Sequence, residues 1–252
     1  MNPLKTALNE QRRQIGFWTS MRSNVAAEIV GHAGFDWILI DMEHAPNEAP
    51  DVLVQLQAMA TGTAEPVVRC AWNDAVLIKR VLDLGARSLL VPMVQNADEA
   101  RRAVAAARYP PAGARGVAVG TRATRWGLRP DYHRTANDDT CVIVQVETQD
   151  ALAQVEAIAA VDGVDGLFIG PSDLAADMGH LGNPGHPDAQ AAFKTAVARI
   201  RAAGKSAGIL SGDPVAVQRY LDWGFTFVAV GSDTNVLAQA AAKLAQQFKG
   251  KA

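Results

Sequence analysis

Two acidic residues, Glu147 and Asp173, have a spacing that suits metal-assisted chemistry. Glu147 ends the apolar segment CVIVQVE at 141–147, and Asp173 follows the apolar segment GLFIG at 166–170. One strand–helix unit separates them, so they should follow adjacent parallel strands about 4.8 Å apart. Carboxylates that close either raise the pKa of one of them or share a divalent cation such as Mg²⁺ or Mn²⁺. The alternative is that each one only caps the helix after its strand.

Two further strand ends carry groups that could act on a substrate. Arg69 follows the apolar residues 66–68, where its guanidinium could stabilise an oxyanion, hold a carboxylate or simply neutralise an acidic neighbour. His44 is the best candidate for proton transfer because histidine alone has an unperturbed pKa near neutrality. Hydrogen bonding to loop backbone is the other role open to it. Asp41 and Glu43 precede it and are expected to support these groups rather than contact the substrate.

The segment Gly170-Pro171-Ser172-Asp173 could bind a small carboxylate through its backbone. A glycine and a proline at a strand end, just before a helical turn, leave N–H groups free, as helix N-termini do. An ordinary turn with a serine cap is the other interpretation. The chain contains neither GxGxxG nor GxxxxGK[ST], so no motif indicates nucleotide binding.

The composition is typical of a globular chain that acts on small molecules. The 252 residues are 49% hydrophobic and 20% charged, and the net charge is −2. Without a positive field, neither nucleic acid nor an anionic membrane surface is an expected partner. No apolar run approaches the roughly 18–20 residues that cross a bilayer, and the first fifteen residues lack the apolar stretch of a secretory signal. Cys70 and Cys141 form no close pair, which suits reduced thiols in the cytoplasm.

Eight short apolar runs alternate with amphipathic segments along the chain. Nearly continuous apolar runs are typical of strands that are covered on both faces. Eight strand–helix units in about 250 residues fit a closed parallel barrel better than an open sheet. We therefore predict a single-domain α/β fold, a TIM (β/α)8 barrel over residues 1–252, with an N-terminal helix at 2–13. The predicted strands are 15–19, 37–42, 66–70, 88–92, 141–147, 166–170, 206–210 and 227–231.

The stretch between the fourth and fifth predicted strands is too long for a turn. After a helix at about 97–108, residues 110–135 contain several prolines, glycines and arginines. Long ordered loops in compact domains commonly cover or line a binding site, so this stretch is predicted to be lid-like. A surface excursion or a contact between subunits is the other interpretation.

Several sequence blocks, in their order along the chain, resemble one known family. They are WILIDMEH at 37–44, VVR at 67–69, LLVPMVQNADEA at 89–100, QVE at 145–147, GPSDL at 170–174 and FVAVGSD at 227–233. Together they resemble the HpcH/HpaI family of class II aldolases over nearly the whole chain. The resemblance implies a barrel that cleaves 4-hydroxy-2-oxo acids reversibly into pyruvate, or hydroxypyruvate, and an aldehyde. It also implies a divalent metal cofactor, Mg²⁺, Mn²⁺ or Co²⁺.

The same resemblance implies roles for the residues at matching positions. Glu147 and Asp173 would be the metal ligands. Arg69 would stabilise the charge that develops on the substrate, and His44 would transfer a proton. The backbone of segment 170–173 would hold the pyruvate carboxylate. Further substrate contacts would come from Trp18 and Gln145 on the donor side and from Leu210, Arg122 and Trp126 on the aldehyde side.

Asp83 matches a family aspartate that pairs with the catalytic histidine. It lies just before the fourth predicted strand, at the opposite end of the barrel from His44, so it cannot reach His44 within one chain. We therefore expect it to act across a subunit boundary of a homo-oligomer, and the resemblance implies a hexamer, a trimer of dimers. The segment VAVGTR at 117–122 departs from the family pattern, which leaves the aldehyde preference open.

Two other functions remain open at the level of sequence. Carbon–carbon lyases that act on CoA thioesters, of the citrate lyase β or malyl-CoA lyase type, share the superfamily and the metal pair. Those chains are usually longer and need a basic groove for the nucleotide. A barrel that binds a metabolite without turnover is the second alternative, and the intact set of Arg69, His44, Glu147 and Asp173 argues against it.

Overall fold

Eight parallel strands close into a barrel in chain order in this computed structural model, which describes residues 1–249. Each strand pairs with the next one along the chain, and the last pairs with the first. Every boundary lies within one residue of its prediction, so the predicted TIM (β/α)8 fold is confirmed. The strands are β1 Gln14–Thr19, β2 Trp37–Asp41, β3 Glu65–Arg69, β4 Ser88–Val91, β5 Cys141–Val146, β6 Gly166–Ile169, β7 Ser206–Leu210 and β8 Phe227–Ser232.

The strands are buried because helices cover the outside of the barrel and side chains fill its inside. Every residue of β2 and of β5 is buried, as expected for apolar runs covered on both faces. The register between β2 and β3 places Asp41 beside Arg69 at the carboxyl ends of the two strands. Active sites of such barrels lie at this end, so the register brings two candidate residues together.

Helices connect the strands, and most of them form the outer layer. They are α1 Pro3–Asn9, α2 Asn24–Gly31, α3 Ala49–Ala58, α4 Ala75–Asp83, α5 Ala97–Ala107, α6 Tyr132–Asp139, α7 Gln149–Ala153, α8 Val155–Ala159, α9 Pro171–Asp177, α10 Pro187–Ala202, α11 Pro214–Trp223 and α12 Asp233–Lys249. Ser23, Asp74 and Asn96 each accept a hydrogen bond from a first-turn N–H, which stabilises the start of their helices.

Aromatic rings fill the interior of the barrel. Trp37 stacks on Phe227 with ring centroids 3.9 Å apart, and Trp18 lies 5.6 Å from Phe168. Glycines make room for these rings, since a Cβ on Gly208 would lie 2.4 Å from the Phe168 ring. The barrel is therefore closed below its carboxyl end, and a substrate can reach only the mouth.

The N-terminal helix is shorter than predicted. It ends at Asn9 rather than at residue 13, because Gln11 adopts a φ of 51°, in the left-handed region that ends a helix. Leu4 and Leu8 of α1 pack against the aromatic core of the barrel. The helix therefore closes the amino-terminal end of the barrel.

The long connection between α5 and α6 does not cover the mouth of its own barrel. Arg115, which is fully buried, lies 2.9 Å from the Asp83 carboxylate and stacks 4.4 Å from the Tyr109 ring. Arg122 donates to the backbone carbonyl of Leu84 at 2.8 Å. Because Asp83 and Leu84 precede β4, the connection lies against the amino-terminal end of the barrel. The lid predicted at 110–135 is thus not formed within one chain, and α6 occupies its last residues.

The last helix, α12, extends away from the barrel. It follows β8, where the eighth outer helix of the barrel belongs, yet residues 234–249 are all exposed. Its large exposed apolar side chains are Val236, Leu237, Leu244 and Phe248. None of the helices within residues 1–249 combines the length and the apolar composition that crossing a membrane requires.

Candidate active site

A cavity of about 240 Å³ opens at the carboxyl ends of the strands. Nine of its ten lining residues were candidates from the sequence, and the tenth is Phe168 on β6. The lining residues are Trp18, His44, Arg69, Gln145, Phe168, Gly170, Pro171, Ser172, Asp173 and Leu210. The structure thus brings the donor-side residues together with His44, Arg69 and Asp173, and the buried Glu147 lies beside them, against Gly170.

Asp41 holds the guanidinium of Arg69 in one orientation. Arg69 donates from Nε at 2.9 Å and from Nη2 at 2.7 Å to the two carboxylate oxygens, a buried bidentate pair. The Trp18 indole and the backbone N–H groups of Glu43 and His44 also donate to this carboxylate. Burial by itself raises the pKa of Asp41, but the bonds from Arg69 and the backbone outweigh it and lower the pKa. Asp41 therefore remains an anion that aims Arg69 at the cavity.

Glu43 carries the most strongly shifted carboxyl group of the site. Its Oε2 lies 2.7 Å from Arg69 Nη1, although the angle does not make this contact a hydrogen bond. Burial raises the pKa of Glu43 to about 7, against the charge of Arg69 and with added repulsion from Glu147 and Asp41. Glu43 can therefore exchange a proton near neutral pH.

Glu147 is fixed by two hydrogen bonds at the end of β5. The Met93 backbone N–H donates to Oε2 at 2.8 Å, and the Gln145 side-chain amide donates to Oε1. Met93 adopts a φ of 53°, a left-handed conformation that costs about 1–3 kcal/mol when the residue is not glycine. Burial raises the pKa of Glu147, and the charge of Asp173 raises it further. A cation beside the two carboxylates would reverse this effect.

Gly170 lets the backbone after β6 approach Glu147 closely. A Cβ at this position would lie 2.5 Å from Glu147 Oε1 and 2.7 Å from its Cγ. Pro171 then begins α9, so the N–H groups of Ser172 and Asp173 lie in a first turn, where backbone donors have no partner within the helix. The segment 170–173 thus presents free donors beside the Glu147 carboxylate.

The oxygen atoms beside these donors fit a hard divalent cation. Glu147 and Asp173 supply carboxylates close enough for the charge of Asp173 to raise the pKa of Glu147, and Gln145 Oε1 is buried without a hydrogen-bond partner among the described residues. A buried acceptor without a donor is costly, and a cation or its bound water would satisfy it. Oxygen ligands suit Mg²⁺ and Mn²⁺ better than ions that prefer nitrogen or sulfur.

His44 lines the cavity at its exposed rim. Its backbone N–H donates to Asp41 at 3.3 Å, which fixes the position of its main chain. Within residues 1–249, its ring has no hydrogen-bond partner, so nothing in this described part of the chain orients the ring for proton transfer.

Three predicted residues lie away from this cavity. Arg122 and Trp126 line a separate cavity of about 570 Å³ beside Arg87 and Thr140, which precede β4 and β5. This larger cavity is at the amino-terminal end, so Arg122 and Trp126 lie away from the active-site cavity of their own chain, and their contact with the aldehyde stays a prediction. The reason is the path of the α5–α6 connection. Asp83 ends α4 at the same end of the barrel, as the sequence predicted.

The sequence reasoning did not identify two residues that shape the site. Phe168 lines the cavity two residues before Gly170, and the alternation of side chains along a strand could have placed both on the inner face. Met93 contributes only its backbone N–H to Glu147. Its left-handed φ has no signal in the sequence, because glycine and asparagine are the residues that normally adopt it.

A parallel barrel with a carboxylate pair, an oriented arginine and a histidine at its carboxyl end defines a (β/α)8 enzyme suited to reactions at a carbonyl group. The model of the HpcH/HpaI aldolase/citrate lyase family matches residues 14–240. A 4-hydroxy-2-oxo-heptane-1,7-dioate aldolase from Salmonella dublin is 56% identical over 248 residues, 98% of this chain and 94% of the relative.

Solved structures agree with this match. A crystal structure of an HpcH/HpaI aldolase/citrate lyase family protein from Burkholderia cenocepacia J2315 has a TM-score of 0.96 and 43% identity, over 99% of this chain and 100% of that one. An HpcH/HpaI aldolase from Desulfitobacterium hafniense DCB-2 has a TM-score of 0.89 and 25% identity, over 99% and 97%. The chain belongs to the HpcH/HpaI aldolase/citrate lyase family and is a carbon–carbon lyase.

Proposed function

We propose that this enzyme is a divalent-metal-dependent class II aldolase that cleaves 4-hydroxy-2-oxo acids into pyruvate, or hydroxypyruvate, and an aldehyde. The observation that carries the proposal is the placement of Asp173, Arg69 and His44 around one cavity at the carboxyl end of the barrel. The buried Glu147 carboxylate lies beside this cavity, against Gln145 and Gly170 of its lining. The relative from Salmonella dublin, named for cleavage of a 4-hydroxy-2-oxo dicarboxylate, supports the substrate class.

Glu147 and Asp173 would hold the cation, which we propose to be Mg²⁺, Mn²⁺ or Co²⁺. When bound, such an ion supplies Lewis-acid polarisation of the substrate carbonyl. The free N–H groups of Ser172 and Asp173 receive the substrate carboxylate. Trp18, with Phe168 beside it, excludes water from the donor side of the cavity, and Leu210 lines the aldehyde side.

Arg69 stabilises the charge that develops on the substrate, and His44 transfers the proton. Arg69, aimed by Asp41, donates to the C2 oxygen, where negative charge develops as the C3–C4 bond breaks. His44 removes the proton of the C4 hydroxyl group, so that the aldehyde can leave. The enolate that remains takes up a proton at C3 to give pyruvate, and in the direction of synthesis C3 loses this proton before the enolate attacks the aldehyde. No lysine lines the cavity, so a Schiff base to the chain is not part of this mechanism.

We also propose that the active enzyme is a homo-oligomer, a hexamer built as a trimer of dimers, in which Asp83 of one chain orients His44 of another. Two observations support this: the His44 ring has no hydrogen-bond partner among residues 1–249, and Asp83 lies at the far end of the barrel. The exposed apolar side chains of α12 give a second copy a surface to cover, since monomers rarely expose such patches.

Complementation between two inactive variants tests the shared site. Asp83→Ala and His44→Ala chains are each expected to be nearly inactive. Unfolding and refolding a mixture of the two should create some interfaces with both residues intact, so activity returns. The two variants refolded separately are the controls. Activity that stays absent in mixed oligomers of native size would contradict a role for Asp83 across the interface.

A metal-by-substrate assay tests the reaction itself. A panel of 4-hydroxy-2-oxo acids is incubated with each cation in turn, and pyruvate release is followed. We expect pyruvate release to require the cation and to disappear in the Glu147→Gln variant. Glu28 is an exposed acid on α2, and the control variant Glu28→Gln should release pyruvate as the parent does. Metal-independent release would contradict the proposal. A CoA-thioester lyase is the less supported alternative, since Arg69 is the only cationic side chain among the residues lining the described cavity.

The two free, buried cysteines support a reducing compartment, and we propose the cytoplasm.

A further inference from the structure

Two histidines and an aspartate form a cluster outside the barrel cavity, around the connection between α9 and α10. His180, His186 and Asp188 each offer one ligand atom, and the three atoms lie within 4.8 Å of one another. It is the only cluster of three or more such ligands found within residues 1–249. We propose that these three residues bind a divalent transition-metal ion of the Zn²⁺ type, at a site separate from the aldolase cation.

The distances from Asp188 to the two histidines are those of ligands that share an ion. The Asp188 carboxylate lies 3.5 Å from His180 Nε2 and 3.6 Å from His186 Nδ1. These separations are too long for good hydrogen bonds. Four ligands placed tetrahedrally around Zn²⁺, with bonds of about 2.0–2.1 Å, lie about 3.4 Å from one another. The Asp188 distances therefore fit a shared Zn²⁺ ion, and binding requires one imidazole ring to rotate away from the other, because the in-plane lone pairs of two stacked rings cannot meet at one ion.

The two imidazole rings are stacked on each other, and one of them must turn before both can bind the same ion. They stack face to face with centroids 3.5 Å apart and planes 14° apart. Two protonated rings at this distance would repel each other, whereas neutral imidazole is the form that binds metals. His186 Nδ1 now accepts a hydrogen bond from the Asp188 N–H at 3.2 Å. An ion at Nδ1 would replace that bond, and the released donor lies in the first turn of α10, where water can satisfy it.

The backbone fixes both histidines before any ion arrives. The His180 N–H donates to the Ala175 carbonyl at 2.8 Å, and the His180 carbonyl accepts from Asn183 at 2.9 Å. The His186 N–H in turn donates to the Asn183 carbonyl at 3.1 Å. Ligands held by such a connected turn lose little freedom on binding, which favours affinity. Asp188 is 69% exposed, so water can complete the coordination.

The ligand chemistry separates this site from the barrel site. Two imidazole nitrogens and one carboxylate suit Zn²⁺, Co²⁺, Ni²⁺ or Cu²⁺, whereas Glu147 and Asp173 offer oxygen only.

The connection between α9 and α10, which carries the two histidines, also borders the active site. Pro184, between the two histidines, lines a cavity of about 240 Å³ with Ser172 and Leu210, both of which line the active-site cavity as well. A bound ion would therefore fix one rim of the active site.

Titration of Zn²⁺ into the Glu147→Gln chain isolates this site, because the barrel ligand pair is broken there. Calorimetry should give one Zn²⁺ per chain, with no competition from excess Mg²⁺. Introducing His180→Gln into the Glu147→Gln chain should weaken Zn²⁺ binding at least tenfold. Loss of a residue that only supports a metal ligand already costs about this much, and His180 is proposed to be a ligand itself. Asp188→Asn should weaken it as well. His32→Gln, which changes an exposed histidine near Thr61, is the matched control and should leave binding unchanged.

Two further readouts do not depend on activity. Co²⁺ at a four-coordinate site with imidazole ligands absorbs visible light strongly, and this band should persist in Glu147→Gln and vanish with His180→Gln. Zn²⁺ should raise the thermal unfolding temperature of Glu147→Gln but not of the double variant. Zn²⁺ binding that is absent from folded Glu147→Gln, or that survives His180→Gln unchanged, would overturn the proposal. Neither result would affect the aldolase assignment.

Discussion

The close approach of Gly170 to Glu147 predicts that a single methyl group disables the cation site. In Gly170→Ala, the new Cβ would lie 2.5 Å from Glu147 Oε1, 2.7 Å from Cγ and 3.0 Å from Cδ. Non-bonded heavy atoms normally stay about 3.5 Å apart, so the carboxylate must move by about 1 Å. Such a shift also disturbs the 2.8 Å hydrogen bond from the Met93 N–H.

The size of the effect follows from the tolerance of metal ligands. Metal–ligand distances vary by only about 0.2 Å between good sites, so a displacement of about 1 Å removes Glu147 as an effective ligand. We expect Mn²⁺ affinity to fall about 10- to 100-fold and kcat/KM to fall about 100-fold. Overpacking at this position should also lower the free energy of unfolding by about 1–3 kcal/mol.

The assay compares Gly170→Ala with Gly212→Ala. Gly212 lines the neighbouring cavity, and a Cβ there would meet nothing within 4 Å. Mn²⁺ titration by calorimetry and pyruvate release at saturating Mn²⁺ are measured for both variants, with circular dichroism to verify folding. Gly212→Ala should behave like the parent enzyme. If folded Gly170→Ala binds Mn²⁺ as tightly as Gly212→Ala does, the assignment of Glu147 as a ligand is refuted.

Three further predictions concern the charged groups around Arg69. In the folded protein without a cation, the pKa of Glu43 is about 7, against its usual 4.5. Between these two pH values the folded state retains a proton that the unfolded state releases. The free energy of unfolding therefore falls as pH rises from 4.5 to 7. Glu43→Gln removes this dependence. In EDTA, the free energy of unfolding of this variant relative to that of the parent should therefore rise by about 1–2 kcal/mol between pH 5 and pH 8, after allowance for solvent screening at the rim. If urea unfolding gives the same difference at both pH values, the pKa shift of Glu43 is contradicted. Asp41→Asn breaks a buried bidentate pair and should lower the free energy of unfolding by about 3 kcal/mol, again measured in urea, and a loss below about 1 kcal/mol would mean that the pair is not buried in solution. Arg69→Lys keeps the charge but loses the two parallel hydrogen bonds of the guanidinium, so kcat for pyruvate release should fall about 100-fold. Arg87→Lys changes the matched bidentate pair with Glu65 and should leave kcat unchanged. Equal kcat values for the two variants would show that Arg69 has no role in the reaction.

The sequence predicts the barrel well because each strand is covered on both faces. Segments such as WILID at 37–41 and CVIVQV at 141–146 are buried throughout, so an apolar run alone defines each strand. The site residues follow from the same pattern, since the first polar side chain after each run lies at the carboxyl end of the barrel. Position along the chain was therefore enough to group Arg69, Gln145 and Asp173.

The remaining features depend on contacts between distant parts of the chain. The connection from α5 to α6 lies at the amino-terminal end because Arg115 binds Asp83 and stacks on Tyr109. No local pattern in a loop rich in glycine and arginine predicts that choice. The stacking of His180 on His186 likewise depends on a turn whose hydrogen bonds are made by the backbone, which any sequence can supply. The left-handed backbone of Met93, which directs its N–H group at Glu147, likewise has no sequence signature.

A crystal soaked with Mn²⁺ and pyruvate, with anomalous differences recorded, tests the central claim most directly. The account predicts one anomalous peak in the barrel mouth, about 2.0–2.2 Å from a carboxylate oxygen of both Glu147 and Asp173. The pyruvate carboxylate should then accept from the backbone of Ser172 and Asp173. Full occupancy of Mn²⁺ elsewhere, with these two side chains turned away from each other, would contradict it.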